Sequence, residues 1–130
     1  MKVVFDSNIF VSSLVIPGSQ AEKAVLKIIE ANHTLIISKE IINEVLEVLA
    51  RKFSRDREAL SRTAVYLSNL AIKVRTTKRI RVLKDEPDNR ILECAVAGGA
   101  NLIVTGDKEM LRLKQFEGIK IISLRGYLAY

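Results

Sequence analysis

The chain has 130 residues, 48% of them apolar, and a formal charge of +6 at pH 7. Those values suit one globular domain spanning 1–130 that buries roughly two-thirds of its unfolded surface, and they exclude a disordered chain. The single Cys94 excludes a disulfide within the chain, and no apolar run approaches the ~20 residues of a membrane span.

Lys2-Val3-Val4-Phe5 reads as a short buried strand that ends at Asp6. Ser7 to Val15 predicts a short helical turn, broken by Pro17-Gly18. Ser19 caps a helix to about Glu30, with Ala21, Ala24, Val25, Ile28 and Ile29 as its buried face. His33 falls in the loop before the second strand, Leu35-Ile36-Ile37, and Ser38 caps the next helix, to about Phe53. Asp56 caps a helix from about Arg57 to Leu70, and Ala71 to Val74 forms a third strand. A charged connection over 76–86 leads to Pro87, which fits the first turn of a helix ended by Gly98-Gly99. Cys94 lies in the apolar part of that helix and reads as an inert small hydrophobe. Leu102 to Thr105 is the fourth strand, Asp107 caps a short helix to about Leu113, and Lys120 to Ser123 is the fifth strand. A final turn covers the tail to Tyr130.

Short apolar strands alternating with helices predict an α/β layer fold with a mostly parallel sheet. In such sheets ligands bind beyond the carboxyl ends of the strands. Asp6 and Asp107 follow strands and therefore belong to that edge. Helices returning antiparallel begin there too, which brings in Asp88 and Glu44. At about 100° per residue, Asp88 falls inside the arc of Ile91, Leu92, Ala95 and Val96, and Glu93 falls outside it. Glu44 lies about 40° beyond the apolar arc of its helix, a boundary position. A carboxylate among these groups singly can serve as a helix cap or a surface charge. Four together repel one another, and a divalent cation holds them ionised. Oxygen donors without His or Cys suit Mg²⁺ or Mn²⁺ rather than zinc.

Charge is unevenly spread. Residues 51–84 hold eleven basic residues against two acids, a local +9, so the remainder carries −3. A basic half beside an acidic half fits a protein that holds nucleic-acid phosphates on one surface and metal in another. Arg51, Lys52 and Arg55 in that stretch, with Arg90 and Lys108 beside two of the acids, are candidate phosphate contacts. Ser7, Asn8 and Thr105 are the polar neighbours suited to orienting the carboxylates, or to satisfying loop backbone groups.

Four motifs occur in register along the chain. Val3-Val4-Phe5-Asp6-Ser7-Asn8-Ile9-Phe10 resembles the opening Asp-Thr-Asn motif of PIN-domain nucleases, with Ser7 where Thr is commoner. Glu44 matches the family's second acid, and Asp88-Asn89-Arg90-Ile91-Leu92-Glu93-Cys94-Ala95 matches the segment of the third. Ala100 to Glu109 resembles the strand-and-acid signature of the fourth. Glu109 stands where many relatives have a further Asp, which makes it an auxiliary acid, and the Asp85-Glu86-Pro87-Asp88 run leaves the third ligand open to argument.

The resemblance, nearest to VapC-like toxins of toxin–antitoxin systems, implies a three-layer α/β/α fold with a five-stranded sheet of order 3-2-1-4-5. It also implies cleavage of RNA with Mg²⁺ or Mn²⁺, catalysis by Asp6, Glu44, Asp88 and Asp107, a homodimer, and an antitoxin partner whose tail enters the acidic groove. The absence of a signal-peptide pattern makes the cytoplasm the expected compartment. Alternatives are an RNA-processing PIN nuclease without toxin role, and an inactive RNA-binding relative, which predicts a degraded acid set. A phosphotransferase using Asp6 as nucleophile would want a second acid where Asn8 stands. A receiver domain would want its acceptor Asp near position 50, where the chain reads as helix.

Overall fold

The computed structural model describes all 130 residues. The elements are β1 (Lys2–Phe5), α1 (Ser7–Val15), α2 (Gln20–Glu30), β2 (Thr34–Ser38), α3 (Lys39–Phe53), α4 (Arg57–Leu70) and β3 (Ile72–Val74). They continue with α5 (Glu86–Gly98), β4 (Leu102–Val104), α6 (Lys108–Leu113), β5 (Gln115–Phe116), β6 (Ile119–Ile122) and α7 (Leu124–Leu128). No helix is long and apolar enough to cross a membrane.

The sheet runs β3-β2-β1-β4-β6-β5, parallel throughout except for the β5–β6 pair. This is the predicted order with one strand more than the five expected. The extra strand is the two-residue β5, joined to β6 by Glu117-Gly118, both at positive φ as a two-residue hairpin turn requires. Consecutive residues of a strand point to opposite faces, yet Val3, Val4 and Phe5 are all fully buried. Helices therefore cover both faces of the sheet, giving three layers.

Local chemistry sets the helix starts. Ser19, Ser38, Asp56 and Asp107 each accept a backbone N–H from the first turn that follows, which satisfies a donor the helix cannot. Asp6 does the same for α1, so Ser7–Val15 is a nine-residue helix and more than the expected turn. Gly98 lies where α5 meets β2: a Cβ there would stand 2.6 Å from Ile36 Cγ2. Ile29, expected in the core, is exposed; it lies some 80° round the helix from Ala21. The C-terminal turn is tied down. Tyr127 is fully buried, its hydroxyl is 2.8 Å from His33 Nδ1, and Lys27 Nζ donates to the Tyr127 and Tyr130 carbonyls at 2.7 and 3.0 Å.

The connection from Arg75 to Asp85 has almost no regular structure, and it lies along α5 as a strap. Buried backbone groups need partners, and here side chains of α5 supply them. Glu93 accepts the Ile80 N–H at 2.8 Å. Asn89 accepts from Val82 and Leu83 and donates back to the Leu83 carbonyl. Arg90 donates to the Ile80 carbonyl and lies 3.0 Å from Glu93. The strap covers what would otherwise be the outer face of α5. Glu93, placed outside the apolar arc by the facing argument, is consequently buried.

Candidate active site

The sheet's carboxyl edge gathers the acids. Asp6 leaves β1 with its N–H bonded to the Val104 carbonyl, so β1 and β4 end side by side. Its carboxylate is almost fully buried; Oδ2 accepts the Thr105 hydroxyl at 2.7 Å, and Oδ1 accepts the Asn8 N–H at 3.2 Å. Thr105 Oγ1 also accepts the Asp107 N–H at 3.0 Å, so one hydroxyl ties the two strand-end acids together. Asp107 caps α6 through the Met110 N–H at 2.9 Å and stays half-buried.

Asp88, on the inward face of α5 as predicted, is only 7% exposed. Its Oδ2 is buried without any hydrogen-bond partner. Burial, then the charges of Asp107, Asp6, Asp85 and Glu44, push its pKa up to about 7. Burial also raises Asp6, against the hydrogen bonds from Thr105 and Asn8, and Asp107 and Asp85 add to the rise. Glu44 is half-buried, as its boundary position implied, and is raised by burial first, with Glu47, Asp85 and Asp6 adding. The four predicted acids and Asp85 thus feel one another's charge. They do not close into a ready-made ligand set: no three of them stand close enough to hold an ion unaided.

These shifts have a consequence for stability. A carboxyl with a folded pKa raised above its ordinary 3.8 favours folding while protonated. That contribution is complete below about pH 4 and is lost as pH rises through about 7. Without metal, the protein is therefore expected to lose stability between pH 5 and 8, by about 2 kcal/mol once counter-ions in the cleft are allowed for. Urea midpoints at the two pH values measure it, and Asp88→Asn should flatten the trend. An Asp88→Asn variant with the same trend as the unchanged protein would contradict the placement of Asp88.

The other predicted residues divide. Ser7 is buried and lines a cleft of about 180 Å³ with Glu40, Ile41, Glu44, Glu86, Pro87 and Arg90. Asn8 contributes its backbone, while its side chain is exposed. Glu109 is exposed and paired with Arg112 at 2.6 Å. Lys108 is exposed beside Asp107. Arg90 is not a free surface cation: it is 16% exposed and pairs with Glu93 and Glu86. Arg51, Lys52 and Arg55 lie in the last turn of α3 or just beyond, about 10 Å or more along the helix axis from Glu44. Arg51 is also paired there with Glu47. Asn89 and Glu93, which hold the strap, escaped the sequence reading; an irregular connection of this length, with its many backbone groups to satisfy, was the available signal.

The sequence pattern of the PIN domain matches residues 2–109, a span that contains Asp6, Glu44, Asp88 and Asp107. The chain belongs to the PIN-domain family. PIN domains are in general nucleases, hydrolases of the phosphodiester bond. An uncharacterized protein of Methanocaldococcus jannaschii is 27% identical over 118 residues, covering 88% of this chain and 76% of that protein. A chain in the crystal structure of VapBC2 from Rickettsia felis, bound to a DNA fragment from its promoter, matches with a TM-score of 0.71. That match covers 95% of this PIN domain and 98% of the other chain at 17% identity, a likeness of fold.

Proposed function

We propose that this PIN domain is an endoribonuclease that hydrolyses RNA phosphodiester bonds with Mg²⁺ or Mn²⁺, and that it serves as the toxin of a toxin–antitoxin pair in the cytoplasm. Asp88 carries the reading. A carboxylate with a partnerless oxygen, its pKa pushed up to about 7 by burial first and then by the charges of Asp107, Asp6, Asp85 and Glu44, is costly to keep ionised unless a cation relieves it. The donors are all oxygen, which suits a hard divalent ion, and their spread suits one that keeps part of its water shell.

A bound ion would supply an activated water and positive charge at the phosphoryl oxygen. Asp6, Asp88 and Asp107 are the residues that would hold it, with Glu44 completing the set. Thr105 and the Asn8 N–H keep Asp6 in one orientation, since a carboxylate with two fixed donors cannot swing. Asp107 caps its helix through one oxygen, which leaves the other free of that bond. Glu44, half-buried at the boundary of its helix's apolar face, would complete the ligand set or orient the attacking water.

The test is cleavage of a structured RNA by the purified chain in Mg²⁺ or Mn²⁺ against EDTA. Cleavage with either ion and none in EDTA is the expected result; equal cleavage in EDTA overturns the metal-dependent reading. The toxin role predicts growth arrest on expression, relieved by a small neighbouring antitoxin gene. A protein partner, whether a second copy or that antitoxin, has apolar surface to meet on α4, where Val65 and Tyr66 are exposed and Leu67 alone is buried.

A further inference from the structure

Beyond the acids, the same sheet edge carries a second cleft, of about 480 Å³, at the ends of β2 and β3. Its lining is Lys39, Glu40, Lys73, Val74, Arg75 and Thr76. Ser38 and Val74 are partners in the sheet, so Lys39 and Arg75, the residues that follow them, leave adjacent strands together. Lys39, Lys73 and Arg75 are exposed, and none of them is engaged in an ion pair. Three cations face one carboxylate, Glu40, which accepts the Thr76 hydroxyl at 3.4 Å.

Glu40 links the two halves of this edge. It lines the cationic cleft and also the smaller cleft that holds Ser7 and Glu44. The strand order puts β3 two strands from β1, roughly 10 Å at ordinary strand spacing. A surface of unpaired cations at that distance from an acidic pocket meets the needs of a polyanion: one phosphate at the acids, a flanking one at the cations.

We propose that Lys39, Lys73 and Arg75 form a phosphate subsite that holds the RNA backbone beside the scissile bond, on the β3 side of the acids. This deepens the ribonuclease reading and rests on it for the identity of the strand. Phosphate contacts of this kind position without reading sequence. Glu40 stands between the two sites as a like charge to the passing backbone. It therefore limits affinity, and its removal strengthens binding.

The experiment is fluorescence anisotropy of a labelled single-stranded RNA oligonucleotide over a salt series in EDTA, where hydrolysis does not interfere. The double variant Lys73→Ala/Arg75→Ala should bind roughly tenfold more weakly, and the slope of log affinity against log salt should shrink by about 1.4, near 0.7 for each lost contact. Glu40→Gln should bind more tightly than the unchanged protein. Thermal melts of the double variant and the unchanged protein should coincide, because the replaced cations are exposed and unpaired. A double variant with unchanged slope, made in a chain that cleaves RNA with Mg²⁺, removes the subsite and leaves the ribonuclease reading standing. A chain that neither binds nor cleaves RNA removes that reading, and the subsite with it.

Discussion

Replacing Asp6 with Asn is expected to lower metal-dependent RNA cleavage at least about 100-fold, since losses of 10- to 100-fold already follow when mere supports of metal ligands are changed. The substitution is nearly isosteric. The side-chain oxygen of Asn can keep the bond to the Asn8 N–H, so α1 should retain its cap. What disappears is a negative charge beside Asp107 and Asp85 that burial already disfavours; the Thr105 hydroxyl loses its acceptor there and takes a bond from the new amide instead. In the absence of metal the variant should therefore be at least as stable as the unchanged protein. A gain in metal-free stability together with lost cleavage separates a removed ligand from a damaged fold. Cleavage assays with Mg²⁺ or Mn²⁺ and thermal melts in EDTA read the two halves, and undiminished cleavage would sink the mechanism.

Glu93→Ala is expected to destabilise the protein by about 3–5 kcal/mol, the usual cost of removing one member of a buried ion pair. Arg90 would keep its charge at 16% exposure with only the exposed Glu86 left to answer it, and the Ile80 N–H would lose its acceptor. Arg79 adds little to the native state, because it is 60% exposed and 3.9 Å away. At this chain length the loss corresponds to a fall in melting temperature of about 10 °C or more. Glu93→Gln retains an acceptor for Ile80 without the charge and should fall between the two. Equilibrium denaturation gives the magnitude, and hydrogen exchange at the Ile80 amide shows whether the strap is released first. A cost below about 1 kcal/mol for the Ala variant would mean that the strap does not depend on Glu93.

The contrast between Asp88 and Glu93 shows what one chain can reveal unaided. Strand ends and helix caps are local events, so Asp6, Asp107, Ser19, Ser38 and Asp56 could be placed from their neighbours in sequence. Asp88 followed from helix geometry, because its inward direction depends only on the apolar face around Ile91. Glu93 fails the same test because the calculation assumes a helix with one face to solvent. Once a strap lies over that face, α5 is buried nearly all round and needs polar partners there. Hairpin β5–β6 was hidden for a different reason: Glu117 occupies a positive-φ turn position where Asn would have announced the turn. Arg90 likewise stands next to an acid in sequence while its guanidinium is bound to others in space.

The sheet margins carry one more implication. One is the three-residue β3, with Lys73 at its centre, and the other is the two-residue β5. Three residues offer roughly 10 Å of open backbone, too short a rail for another chain to zip onto, and a central lysine further discourages pairing. Strand addition, a common route both to peptide capture and to aggregation, has little to grip on this molecule. A second protein chain has more to hold on the helices, as at the exposed Val65 and Tyr66 of α4.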